Sequence, residues 1–169
     1  MKQIFSIFQL AIFFVFTSSI FATPHLLFNG KSLTLINEKG VAIQSWPAGA
    51  GRPFTSPKDQ VLKNKGPLPE GNYAVQLKQT IFFKNPTGFH SKLSWMKNYI
   101  AWGNLAIPLE AHPTNTMFGR DSFMIHGGGW IIGSKGCIYV FGNDTQLFNQ
   151  LRTLPKSVCI LKVSYAPTH

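Results

Sequence analysis

Short apolar runs separated by turn residues fill most of the chain. From His25 to Asn37, "HLLFNGKSLTLIN" places Asn29-Gly30 between two such runs, a strong hairpin pattern. Glu38 to Gly40 turns the chain into a strand, "VAIQSW". The following "PAGAGRPFTSPKDQVLKNKGPLPEG" is rich in Gly, Pro and Lys and predicts a long loop. A strand resumes at Asn72 with "NYAVQL". Residues 79–117 carry irregular punctuation and predict a short strand near Ala106 to Glu110, with loop or a helical turn around it. "SFMIH" and "CIYVF" read as strands on either side of a Gly-rich stretch. In "NDTQLFNQLRTL" an Asn/Asp cap precedes Leu147, Phe148, Leu151 and Leu154, spaced as one helix face with the polar remainder toward solvent. "SVCILKVSY" is the closing strand. The pattern predicts a mainly β domain, sandwich or barrel-like, with one short C-terminal helix.

The first residues follow a different rule. Lys2 precedes an apolar stretch from Ile4 to Phe16, and mostly small residues run from Thr17 to Ala22. That is the order of regions in a secretory signal peptide. Residues 1–22 are therefore expected to be removed after Ala22, leaving one domain over residues 23–169, periplasmic or secreted. Ser6, Gln9 and Thr17 interrupt the stretch, and a membrane span needs ~20 apolar residues. The segment fits an export signal better than an anchor, and no stable span is expected after cleavage.

Charge narrows the partners. Lys and Arg number 16 against 6 Asp and Glu, a net charge of +10. A basic exported protein is drawn to anionic envelope polymers. The basic residues are scattered, and the export signal points away from nucleic acid, which is not an expected partner. Two cysteines in an oxidising compartment allow a disulfide. Their settings argue against one: Cys159 lies within a strand pattern, as a small buried apolar residue does, whereas Cys137 follows Gly136 at a strand mouth.

The stretch joining the "SFMIH" and "CIYVF" strands, "HGGGWIIGSKGC", carries the candidate chemistry. A Cys attacks a carbonyl well only when its proton is taken or its pKa is held down, and His is the usual partner. If the strands ending at His126 and starting at Cys137 are neighbours, the two side chains meet at one end of a sheet. Gly127, Gly128, Gly129, Gly133 and Gly136 allow sharp turns and close approach of a substrate. Gly136 before Cys137 would leave backbone N–H groups of Gly136 and Cys137 near the sulfur, where an oxyanion needs them. Spacing alone leaves open a Gly-rich hairpin loop with a satisfied His. A metal site is not expected: there is no CxxC or HxxxH, and the spare imidazoles are His25, His90, His112 and His169.

"HG" followed by "SKGCI" resembles the signature of the L,D-transpeptidase (YkuD-like) catalytic domain. "GPLPEGNYAV" is similar to that family's Pro-x-Gly-x-aromatic strand opening at Pro69, Gly71 and Tyr73, and the strand-forming "AIQSWPAGAG" precedes it as in the family. The string "FGRDSFMIHGGG…GSKGCI" most resembles the branch that includes type VI secretion effector domains. The likeness runs from about Leu26 onward. It implies an L,D-transpeptidase-like β-sandwich, Cys137 as nucleophile, His126 as base and peptidoglycan stem peptides as substrate, with no cofactor. The chain departs from the pattern at Lys135, where the family often has His, and at Tyr139, where it often has Arg or Asn. Lys135 adds positive charge two residues before the sulfur and is expected to help hold a thiolate.

Support for His126 is sought nearby. In a regular strand Ser122, Met124 and His126 share one face and Asp121 points to the other, and five residues span ~16 Å, so Asp121 is a poor orienter. A carbonyl from the Gly127 to Gly129 segment, or Ser134, is expected instead. Arg120 lies ~20 Å away on the same estimate and is expected to bind a distal carboxylate or pair with an acid. The expected function is an exported cysteine acyltransferase whose thioester goes to an amine (L,D-transpeptidase) or to water (L,D-carboxypeptidase). An antibacterial effector that trims stems is the alternative within the class, and the signal peptide points away from it. From another class, a non-catalytic envelope-binding module would use Trp95, Trp102 and Trp130.

Overall fold

The computed structural model describes residues 23–83, 100–128, 133–154 and 159–165. The expected signal peptide over residues 1–22, and Trp95 and Trp130, lie outside them. The described residues form nine strands: β1 (His25–Phe28), β2 (Ser32–Ile36), β3 (Ala42–Ala50), β4 (Gly71–Val75), β5 (Ile81–Phe82), β6 (Leu105–Ala111), β7 (Met124–His126), β8 (Ile138–Val140) and β9 (Ile160–Val163). Helix α1 (Asp144–Arg152) lies between β8 and β9. Among the described residues no helix is long and apolar enough to cross a membrane.

The strands run in the order β4-β9-β1-β2-β3-β8-β7-β6-β5, and β4 also pairs with β6, which closes the sheet on itself. Two strands change partner along their length. β3 pairs with β2 as far as Pro47 and with β8 from Ala48 to Ala50. β6 pairs with β7 and β5 through Pro108 and with β4 from Leu109 to Ala111. The result is a flattened, closed β-sandwich, and the expectation of a mainly β fold holds.

Alternation sets the faces. In β1 and β2 every second side chain is buried, and Leu26, Phe28, Leu33 and Leu35 enter the core. All three residues of β8 are buried, as expected of a strand covered on both faces. Leu147, Phe148 and Leu151 of α1 join the core at the predicted helical spacing.

The structure corrects the loop reading at three points. β3 continues through Pro47 to Ala50, as the resemblance implied at "AIQSWPAGAG" and against the loop read from the Gly and Pro punctuation, because the Pro47 carbonyl accepts from Phe141 N–H just where the partner strand changes and a missing N–H is tolerated. The loop behind it holds a 3-10 turn at Pro57–Val61 with a Ser56/Asp59 capping box. β7 and β8 are parallel, with Ile125 opposite Ile138 and His126 opposite Tyr139, so the Gly-rich stretch is a crossover and not a hairpin loop. Cys137 and Cys159 are both free thiols.

Candidate active site

Ile125 and Ile138 are register partners, and both belong to the core. The alternate positions therefore point away from it together: His126 and Tyr139, with Cys137 one step before β8 on the Tyr139 face. Two rungs along and one strand across place His126 and Cys137 as diagonal neighbours, about 8 Å apart at Cα from ideal strand spacings. His126 is buried and Cys137 is half-buried.

The imidazole is oriented by the main chain. His126 Nδ1 lies 2.7 Å from the carbonyl oxygen of Gly127. A carbonyl can only accept, so Nδ1 carries the proton and Nε2 is left with a lone pair. Of the two expected orienters, the Gly127 carbonyl takes this part. Asp121 is exposed and accepts from the Ser122 hydroxyl at 2.9 Å. Burial pushes the His126 pKa down, partly offset by the Gly127 carbonyl and by the charge of Asp144, so the ring is neutral near pH 7.

Ser134 has a different task from orienting His126. Its Oγ donates to the Cys137 carbonyl at 2.6 Å and accepts from Gly136 N–H at 3.1 Å and Gly51 N–H at 3.2 Å. The N–H of Gly136, expected to be free, is thus committed to the turn. The N–H groups of Met124 and Cys137 both act on the Cys137 sulfur. These two donors and the Arg120 charge pull the Cys137 pKa down, but burial outweighs them and the thiol sits above its ordinary value. The resting pair is thiol and neutral imidazole, which calls for proton transfer on attack.

Arg120 is placed differently from expectation. Phe118 and Ser122 take positive φ, 54° and 59°, so the chain turns before β7 instead of extending, and the strand-based distance fails. The turn brings the guanidinium beneath the Cys137 loop. It donates to the carbonyls of Gln60, Pro67 (2.7 Å), Gly66 (2.8 Å) and Lys135 (3.2 Å), and it stacks 5.0 Å from the Phe123 ring centre. Its hydrogen bonds go to carbonyls rather than to the acid expected of it. At Gly136, with φ 126°, a Cβ would run into this guanidinium, which is why that turn needs glycine. The next two carbonyls along the strap are held by tyrosines: Leu68 by Tyr165 at 2.6 Å and Pro69 by Tyr73 at 2.7 Å. Four successive carbonyls of the buried Gly66–Pro69 segment are thereby satisfied by side chains, as a buried loop requires.

A cleft of about 280 Å³ opens beside the sulfur, lined by Cys137, Lys135, Arg120, Lys63, Asp121 and Trp102 among others. Lys135 is exposed at its rim, and the cation that lowers the thiol pKa is Arg120. His126 lies behind Trp102, whose ring is tilted 46° to the imidazole with centres 4.6 Å apart.

One residue was missed in the sequence. Asp144 was read with Asn143 as a helix cap, yet neither side chain caps α1: Asn143 bonds Phe141 O, and Asp144 turns inward and is only 4% exposed. Its Oδ2 accepts from the N–H groups of Asn104 at 2.5 Å and Leu105 at 3.2 Å, and its Oδ1 accepts from the Asn104 side chain at 3.2 Å. A polar residue at the first turn of an amphipathic helix carries no sign in sequence of facing inward.

The arrangement is that of a cysteine–histidine site at the cleft of a closed β-sandwich. A family model described as the Tlde1 domain matches residues 46–163, most of the chain, a span that holds Arg120, His126, Cys137 and Asp144. The chain belongs to the Tlde1-domain family, a family of L,D-transpeptidase-like type VI secretion effectors. Among solved structures it is similar to Bd1075 of Bdellovibrio bacteriovorus, with a TM-score of 0.53 and 15% identity over 88% of this chain and 50% of that one. The chain thus spans half the length of that protein, and the likeness is one of fold. No curated protein matches the chain.

Proposed function

We propose that this protein is a peptidoglycan-directed cysteine acyltransferase in which Cys137 is the nucleophile and His126 the base. The observation that carries the reading is the tautomer: the Gly127 carbonyl fixes the proton on Nδ1 and leaves Nε2 free, on the sheet face that also holds Cys137. The Cys137 thiol gives its proton to His126 Nε2 as sulfur bonds to the carbonyl carbon of the third stem residue. Negative charge on the carbonyl oxygen is met by Cys137 N–H. The tetrahedral centre collapses, the C–N bond breaks, and the imidazolium returns its proton to the departing D-alanine amine. Water then releases a tripeptide, or an amine acceptor takes the acyl group and forms a cross-link.

The cleft beside the sulfur is lined by Lys63 and Lys135, which meet carboxylates of an anionic stem. The short stretch between His126 and Cys137 leaves little protein to wall off a thioester, which supports hydrolysis as the main outcome. Family membership supports delivery of the domain as an effector to a foreign cell wall, the alternative from which the export signal pointed away. The test is mass spectrometry of purified tetrapeptide and pentapeptide stems after incubation with residues 23–169. Tripeptide from tetrapeptide, with pentapeptide spared, is the expected result. Dimers in excess of tripeptide would overturn the hydrolytic preference, and consumption of pentapeptide alone would overturn the L,D assignment.

A further inference from the structure

Among the described residues three polar or charged side chains are buried, Arg120, His126 and Asp144. The mechanism uses His126, and Arg120 is accounted for by its carbonyl cage. Asp144 remains, a carboxylate held in the interior beside the candidate base, and its place needs a reason because an isolated buried charge is costly.

The carboxylate is wedged between two segments that both touch His126. On one side it holds the N–H groups of Asn104 and Leu105. That anchors the turn at Gly103, with φ 69°, immediately after Trp102, the ring laid on the imidazole. On the other side it packs on Gly127, where a Cβ would collide with the Asp144 side chain. Gly127 supplies the carbonyl that fixes the His126 tautomer, and its own N–H reaches Leu105 O at 3.4 Å. A Cβ on Gly103 would meet Gly127, Gly128 and the Asp144 carboxylate at once, so the three pieces are in mutual contact.

We propose that Asp144 is a positioning residue for His126: it locks Gly127 and the Trp102 turn around the imidazole and sets the field in which the ring titrates. This rests on the reading of His126 as the base. Its negative charge raises the affinity of the buried ring for a proton and opposes the burial that lowers it. Among the described residues, the other titratable groups around the ring are Cys137 before β8, Tyr139 opposite it on β8, and Arg120 beyond the sulfur. β6, on the other side of β7, presents Ala106 opposite His126 and no ionisable group there.

Two variants separate this from a purely structural role, each read by NMR titration of the His126 imidazole in the otherwise intact domain carrying Cys137→Ser. Asp144→Asn keeps the shape and removes the charge, and should lower the His126 pKa by roughly one unit. Trp102→Ala, at a half-buried position, should move it the other way, toward the ordinary value, by admitting water. With Cys137 restored, Asp144→Asn should lower kcat about tenfold with KM little changed and shift the acid limb of the pH–rate profile downward. A His126 titration unchanged in Asp144→Asn, in a domain with native circular dichroism, overturns the proposal. If Asp144→Asn fails to fold, Trp102→Ala decides: an unmoved His126 titration there also overturns it. The titration needs no substrate, so a shifted His126 with no turnover of stem peptides would sink the proposed function and keep the role of Asp144.

Discussion

Cys159 and Cys137 stand at corresponding places in two halves of the sandwich, each one residue before a strand, and their surroundings differ in kind. Cys159 precedes β9 in the half formed by β1, β2, β4 and β9, and it is 3% exposed among core residues. Burial alone acts on its thiol and pushes it up to about 11. Cys137 precedes β8 in the half that holds the buried Arg120, His126 and Asp144. Burial raises its thiol as well, but two N–H groups and a guanidinium oppose that rise. The first half spends its interior on apolar contact. The second accepts the desolvation of Arg120, His126 and Asp144, each satisfied by main-chain partners, to hold a few atoms in fixed positions.

The largest expected effect breaks the pair apart directly. Cys137→Ala should abolish turnover and leave the thermal midpoint nearly unchanged, because the half-buried thiol contributes little packing. Cys159→Ala should leave kcat/KM intact and cost about 1–2 kcal/mol of stability through a lost core contact. Activity assays and denaturant melts on the two variants check this. Loss of turnover in Cys159→Ala with retention in Cys137→Ala would invert the comparison.

Arg120 tests the idea that the active half is held by satisfied polar burial. Arg120→Met removes the donors to four carbonyls while filling similar space. Leaving buried acceptors unmet costs about 1–3 kcal/mol each before relaxation, so a loss of about 3 kcal/mol or more is expected. Lysine at the same position should recover only part, since an ammonium lacks the planar fork. Denaturant unfolding measures both. A loss near zero in Arg120→Met would mean that water replaces the guanidinium without penalty.

Much of this contrast was legible in the sequence, and the reasons for the rest are local. The hairpin at Asn29-Gly30 and the amphipathic face of α1 follow from patterns confined to one segment, and both appear where expected. Cys137 and His126 were singled out by residue type and Gly-rich spacing, and register brings them to one face. The failures all depend on contacts between distant segments. Arg120 was misplaced because a non-Gly positive φ at Ser122 turns the chain before β7 and folds Arg120 back onto residues 60–67 and 135, a conformation that Ser gives no sign of. Asp144 was taken for a cap because only the tertiary position of residues 103–105 and 127 turns it inward. β7 and β8 carry no mark of being parallel, since strand direction is set by the crossover and not by the strands.

Acid should weaken the active half before the other. The folded pKa of His126 lies below the ordinary 6.5 because of burial. Between those two values the unfolded chain binds more protons at this site than the folded one, so stability falls as pH is lowered through that window and is fully lost below the folded pKa. His126→Gln should flatten this part of the stability-against-pH curve, and melts between pH 7 and pH 5 check it. An equal slope in both proteins would assign the acid sensitivity elsewhere.

The smallest effect distinguishes two cations near one sulfur. Lys135 stands two residues before Cys137, which suggested from sequence that it holds the thiolate. Its side chain is exposed at the cleft rim, where solvent and salt screen its charge, whereas Arg120 is buried beneath the same turn and acts on the thiol. Rates of iodoacetamide alkylation against pH give the apparent Cys137 pKa. Lys135→Ala should move it by no more than about 0.3 unit, the scale of a screened surface charge. Arg120→Lys, which keeps a charge but not the fork, should move it upward by more, because the ammonium cannot hold both the Gly66 and Lys135 carbonyls and stay beneath the sulfur. A larger shift in Lys135→Ala than in Arg120→Lys would return the electrostatic role to the rim and detach it from the buried network.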